Sequence, residues 1–533
     1  MPRPTPGPVP AALLALAVVL CLAGIAGCAV GPSQRPAVAT RQTDVPLVPD
    51  TGADTPSAAP APPLLPPLTP TNPVGIVFTD CTGPALDAAG GPAAAAGRDL
   101  RVGCASLPVA GTGSAPSGEV GIVRVTLGPV PAGGAVPIAV LGDPGTRSGG
   151  EQALRLAARA PLPLLGGTAL YGIDARGSGT GESVDCLTPN TRAALDDTDP
   201  AAADPVALAP TARAATTAAR TCSQILEDSV TDYRTGSSAD DLEQVRRALG
   251  ASKLSTVALG TGAGVVADWA QRYPGGVGRT VLDALPDPTS PLLLRADQEA
   301  EAARAALAAF STDCAARPDC PLGADPTGAV TRVLAALHAA PLPGADARTV
   351  TAGTAVAVLV AGLSDPTTWP ATAAALAAAG RGDPGPVQAA VEAHEADGSG
   401  FDLALMTRCN DSSDRPTVDQ VAQSAARARA VDPVFGSWFA AQVLGCSSWP
   451  VPTDSPALPT SLGVPPLLLA SSADPRTPLP ATQRVAAGLD GATLVSWLGA
   501  GHGAYPLTPC VDDAVDGYLL GAVIPRQGTV CPP

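Results

Sequence analysis

Residues 257–264 read VALGTGAG and run directly into VVADWAQRYP, residues 265–274. An apolar run that stops on glycine and resumes with helical spacing predicts a strand, a tight turn and a helix. Gly260 and Gly264 bracket the turn, and Gly262 stands at its centre. Such a turn can cradle phosphate, but GTGAG lacks GxGxxG spacing and a Walker lysine. Lys253, the nearby cation, precedes the strand instead of following the glycines.

Working outward, six further apolar runs have the same character: GIVRVTLGPV, AVPIAVLGDPG, TALYGIDARG, RTVLDAL, PPLLLASSAD and ATLVSWLGAGH. Helical patterns such as ADDLEQVRRALG separate most of them. Nearly continuous apolar strands alternating with helices predict an α/β fold built on a mainly parallel sheet, covered on both faces. The alternation breaks between residues 290 and 444, where AEAARAALAAF, AVTRVLAALHAA and ATAAALAAAG are Ala-rich and helical. The expected organisation is a core in two pieces, 75–289 and 445–533. A helical lid, 290–444, falls between the fifth and sixth sheet strands and covers the strands' C-terminal ends.

The chain has 533 residues and a formal net charge of −16, which argues against nucleic acid or anionic lipid as a partner. Residues 1–27 have the basic start, apolar stretch and small-residue end of an export signal. Ile25-Ala26-Gly27-Cys28 resembles a bacterial lipobox, in which Cys28 is lipidated. Residues 28–74 are rich in Pro, Thr and Ala and read as a tether. Membrane contact is expected through the N-terminal lipid alone, on an exported monomer. Ten other cysteines follow the signal: Cys81, Cys104, Cys186, Cys222, Cys314, Cys320, Cys409, Cys446, Cys510 and Cys531. An even number in an oxidising compartment suggests five disulfides, with neighbour pairing the simplest arrangement and connectivity left open. Spacing suited to metal ligands is absent, and no metal or cofactor is expected.

Ligands of open α/β sheets gather at strand ends. Three features fall there: the Gly260–Gly264 turn, Asp474 and His502. A G-x-S-x-G turn is a nucleophile elbow, and its order with a later acid and histidine is that of α/β-hydrolases. Of three histidines, His338 and His394 lie in Ala-rich helical sequence, whereas His502 sits in the loop GAGHG. Asp474 also fits a turn cap in DPRTP.

Several segments together resemble the secreted tripeptidyl aminopeptidase-like branch of the α/β-hydrolases. They are VALGTGAGVVADWAQRYPGGVGRTVLDALPDPT, CSSWPVPT leading into LLLASSADPRTPLPATQRVA, GAGHGAYPLTPCVDDAVDGYLLGAVIPRQGTVC and YGIDARGSGTGESVDC. The resemblance implies a serine peptidase with the nucleophile at Gly262, His502 as base and Asp474 as its orienting acid. Ala263 would supply an oxyanion amide, beside the Gly142–Asp143 segment. Two departures stand out. Glycine occupies the serine position, and the oxyanion segment reads VLGDPGTRSGG, in which Asp143 would oppose developing negative charge unless turned away or paired with Arg147. Glycine tolerates the strained elbow, so the fold survives loss of the hydroxyl. The expected function is a pseudoenzyme that binds a peptide or small envelope ligand; the alternative is a weak hydrolase in which His502 activates water. Asp297, Glu299 and Glu301 could meet a peptide's amino terminus, but are read first as a solvated helix face.

Overall fold

The computed structural model describes residues 65–111, 116–345, 348–396, 400–450 and 456–533. Cys28, the export signal and most of the tether lie outside these residues. The strands are β1 (Thr79–Asp80), β2 (Leu100–Ala110), β3 (Pro116–Leu127), β4 (Val136–Leu141), β5 (Thr168–Ile173), β6 (Leu254–Leu259) and β7 (Val277–Asp283). After them come β8 (Leu342–Pro343), β9 (Thr349–Val350), β10 (Leu467–Ala473), β11 (Thr493–Ala500) and β12 (Val530–Cys531). Ten of them form one sheet in the order β1-β2-β3-β5-β4-β6-β7-β10-β11-β12. Pairing from β4 and β5 through β12 is parallel, whereas β1, β2 and β3 run antiparallel at one edge.

Seven of these strands carry the seven apolar runs. Every residue of β5, β6 and β7 is buried, which is why they read as continuous apolar sequence instead of an alternating pattern. Helices Gly149–Arg159, Thr235–Ala248 and Thr261–Arg272 pack against this sheet. Ser148 caps the first of them in a capping box with Glu151. Trp269, the largest fully buried side chain, anchors the elbow helix and donates its indole N–H to Glu243. The strand order, the parallel crossovers and the helices on the sheet make this an α/β-hydrolase fold.

The edge hairpin of β2 and β3 was not separated as two strands by sequence periodicity, because RVGCASLPVA carries small and polar residues in place of an apolar run. The tether also ends earlier than residue 74. Leu65 is buried in the main core, Pro66 accepts from Arg279 Nε, and Thr71 exchanges backbone hydrogen bonds with Ala135.

Residues between β7 and β10 are mainly helical, running from Leu292–Ala316 to Gly436–Gln442, with β8 and β9 as a small antiparallel ribbon that sequence did not anticipate. In the first helix Ala296, Ala300, Ala303, Leu307, Phe310 and Cys314 recur at helical spacing, and all are buried. Part of this helical layer comes from elsewhere. Helix Ala209–Leu226, inserted after β5, contributes Ala215, Ala218, Ala219 and Cys222 to the same apolar cluster. Ala473 and Ala500, the last residues of β10 and β11, join that cluster and so tie the helical layer to the sheet's C-terminal edge.

All five disulfides form between neighbours: Cys81–Cys104, Cys186–Cys222, Cys314–Cys320, Cys409–Cys446 and Cys510–Cys531. They fit an oxidising compartment. Among the described residues, no helix is long and apolar enough to cross a membrane.

Candidate functional site

Five parallel strands deliver the site from their C-terminal ends: β4 leads to Asp143, β6 to Gly260, β7 ends on Asp283, β10 leads to Asp474 and β11 to His502. Asp474 and His502 are brought together. His502 Nδ1 lies 3.0 Å from Asp474 Oδ2, and both side chains are buried. Asp474 also accepts the backbone N–H groups of Arg476 and Thr477, so the turn cap and the histidine partner are the same carboxylate. His338 pairs with Asp199 on an exposed surface, and His394 falls in helix Gly385–Ala396.

The other end of His502 decides the chemistry. Its Nε2 lies 2.9 Å from Asp143 Oδ2. The N–H is not aligned on that oxygen well enough for a hydrogen bond, so the contact is an ion pair. Asp143 Oδ1 accepts the N–H of Thr261, the first residue of the elbow helix, 3.1 Å away. A carboxylate is favoured at a helix N-terminus, where amide N–H groups lack partners.

Asp143 occupies the space that a side chain on the elbow would fill. Gly260 adopts φ 56°, ψ −122°, a strained conformation for any L-residue. A Cβ built on Gly260 would lie 2.7 Å from the Asp143 carboxylate and 2.9 Å from His502 Nε2. A Cβ on Gly262 would instead strike the Gly142 carbonyl oxygen at 2.3 Å and Leu141 Cβ at 2.9 Å. The assignment of the missing side chain to Gly262 is therefore corrected: the position that faces the histidine is Gly260. Gly262 is glycine because the elbow helix packs tightly on the end of β4. The turn falls in the frame Ala258-Leu259-Gly260-Thr261-Gly262, which carries only its second flanking glycine.

The oxyanion assignment shifts as well. Ala263 N–H is committed to the Gly260 carbonyl within the turn, and the amide that faces the site is that of Thr261. Gly142 contributes close backbone packing against Arg147 and Ser148. The Asp143 carboxylate does not pair with the Arg147 guanidinium, which reaches away to Asp365, although the Arg147 backbone N–H donates to the Asp143 carbonyl.

Electrostatics follow from this geometry. Burial alone would push the His502 pKa down. Attraction to Asp474, together with the contact to Asp143, overrides that penalty and raises it to about 9. Burial likewise opposes the charge on Asp143, but His502 and the Thr261 side chain leave its pKa below the usual carboxylate range. At neutral pH the centre is an imidazolium held between two carboxylates.

Two supports were not legible beforehand. Asp283 accepts the backbone N–H groups of Ala504 and Tyr505 and so fixes the loop that carries His502. Burial raises its pKa to about 6. From the helical layer, Ser364 accepts the His502 backbone N–H at 2.8 Å, and Asp365 binds both Arg147 and Arg155. Residues 364–365 thus rest directly on the histidine and the Asp143 loop.

A cavity of about 2150 Å³ opens above this centre and is lined by Asp143, Thr261 and Arg476 from the core and by residues of the helical layer. The solvated-face reading of the first long helix needs correction at one position. Asp297 and Glu301 are exposed, but Glu299 is buried and lines the cavity, because it lies one turn beyond Arg295 on the inward face.

Residues 432–531 match the family model described as TAP-like protein. The chain is similar to serine protease Hip1 of Mycobacterium tuberculosis, 26% identical over 315 residues that cover 55% of this chain and 60% of Hip1. It is also similar to carboxylesterase B of the same species, 28% identical over 285 residues covering 49% and 54% respectively. The putative hydrolase YuaR of Escherichia coli is 25% identical over 300 residues, covering 52% and 59%. The chain thus spans less than two thirds of the length of each of these relatives.

Proposed function

We propose that this chain is an exported, lipid-anchored protein of the TAP-like serine peptidase branch that has lost its nucleophile and binds a peptide or other small envelope ligand. One observation carries the reading: the Asp143 carboxylate fills the space where a serine side chain at position 260 would stand. The same carboxylate takes the Thr261 amide, the donor a tetrahedral oxyanion would need. Acyl transfer through serine has neither its nucleophile nor a vacant oxyanion site. The retained cavity supports binding.

A hydrolase in which His502 activates water is less well supported. A general base must be unprotonated at working pH, and His502 is held as imidazolium to about pH 9. Its Nε2 faces a carboxylate where that water would sit.

Incubation of the natural protein with a fluorophosphonate probe should give no labelling, and tripeptide anilides and short acyl esters should not be turned over. Labelling or turnover abolished by His502→Ala would overturn the proposal. Cys28→Ser should release the chain from membranes; unchanged fractionation would remove the anchor from the reading.

A further inference from the structure

The cavity wall opposite the histidine carries an arrangement of charge that the site does not use. Arg295 and Glu299 stand one turn apart on helix Leu292–Ala316, and Arg408 belongs to helix Gly400–Asn410. All three line the cavity, with Arg476 between them and Asp143. Arg476 hydrogen-bonds Ser364, but no side-chain hydrogen bond or ion pair holds Arg295 or Arg408 among the described residues. Two of the three neighbouring acids are engaged elsewhere. Asp411 accepts from the amide and hydroxyl of Thr235, and Asp287 is taken by Arg484, Thr289 and Ser290.

A guanidinium offers five N–H donors in a rigid fork. Two such forks line the cavity without a hydrogen-bonded side-chain partner among the described residues, and Glu299 attracts both without bonding either. Burial opposes the charge on Arg295, and the like charge of Arg408 adds to that, so its pKa lies below the usual arginine range despite Glu299, Asp287 and Asp411. A neutral carbonyl makes no ion pair with a guanidinium, whereas a carboxylate accepts two parallel, charge-assisted hydrogen bonds from it.

We infer that Arg295 and Arg408 form a subsite for a carboxylate on the ligand, above the Asp143–His502 centre. The inference rests on the reading of the cavity as a ligand site and names the ligand's chemistry: a short peptide with a free C-terminus, or another small carboxylic acid. The carboxylate would lie between the two guanidinium groups, beside Glu299.

The test compares acetyl-trialanine with its C-terminal amide by calorimetry on the full chain at pH 7 and low salt. Hydrogen bonds to charged groups make a preference for the acid of about tenfold or more the expected result. Arg295→Gln and Arg408→Gln keep a polar side chain at each position and should each erode that preference. Circular dichroism melts check that the variants fold. Equal binding of acid and amide would overturn the subsite while leaving the binding reading intact. A preference that survives both substitutions would also overturn it. If neither peptide binds, the peptide reading fails, and succinate decides the subsite. Succinate should raise the melting temperature of the natural protein but not of the Arg295→Gln/Arg408→Gln variant; no rise in the natural protein would overturn the inference.

Discussion

Asp143→Ala combined with Gly260→Ser should convert the centre into a reactive serine site. A Cβ at position 260 would point at His502 Nε2 from 2.9 Å, but in the natural protein the Asp143 carboxylate stands 2.7 Å from the same point. Gly260→Ser alone must displace that carboxylate, and it also places a non-glycine residue at φ 56°. Backbone strain of this kind costs on the order of 1–3 kcal/mol, and the displaced ion pair adds to it. Removing Asp143 relieves that collision and frees the Thr261 amide, leaving His502, whose Nε2 is 2.9 Å from the same point, to shift by a few tenths of an ångström. It also takes away one of the carboxylates that hold His502 as imidazolium. The histidine pKa then falls from about 9 toward its ordinary value, which is the direction a general base requires. The double variant should therefore be labelled by a fluorophosphonate probe on an in-gel fluorescence assay, and Gly260→Ser more weakly. Gly262→Ser should stay unlabelled and lose roughly 1–3 kcal/mol or more in urea melts from overpacking, since its Cβ would meet the Gly142 carbonyl at 2.3 Å. Labelling of Gly262→Ser, or an unlabelled but folded double variant, would refute the assignment of position 260.

Stability should depend on pH through His502. Its folded pKa of about 9 exceeds the unfolded value near 6.5, so its contribution is complete below pH 6.5 and is lost as pH rises through about 9. The shift corresponds to on the order of 3 kcal/mol. Urea midpoints between pH 6 and 9.5 should fall in the natural protein and flatten in His502→Asn; parallel profiles would remove the ion pair from the account. Asp283→Ala leaves the Ala504 and Tyr505 amides without their acceptor. It should cost roughly 2–6 kcal/mol at 1–3 kcal/mol for each buried unsatisfied group, measured by urea denaturation. Non-reducing peptide mapping should return the five neighbour pairs with no free thiol among the ten cysteines. Cys409→Ala/Cys446→Ala, which opens a link across 37 residues, should destabilise by about 3–4 kcal/mol.

Sequence alone determined seven of the sheet's ten strands, because buried parallel strands are apolar on both faces and the seven runs could hardly lie elsewhere. It also singled out Asp474 and His502, since each follows a strand directly, and one histidine of three sat in a glycine loop. For the cysteines, sequence offered neighbour pairing as the simplest arrangement, and the structure fixed the connectivity. Only tertiary structure decided which glycine of the turn faces His502. VALGTGAG contains three glycines at alternate positions, and the frame with two flanking glycines was the more regular choice. Helix and strand periods do not report which Cβ vector meets a histidine some 240 residues away. The same limit concealed Asp143. In sequence it was a carboxylate intruding on an oxyanion segment; in space it completes an ion pair with His502 and accepts the helix N-terminal amide. Asp283, Ser364 and Asp365 were hidden for the same reason, as each acts on a backbone or side-chain group more than 200 residues distant in the chain or on a separate element. Local pattern fixes which elements form. The contacts that give this centre its charge are made between strand ends, where chain distance and spatial distance are unrelated.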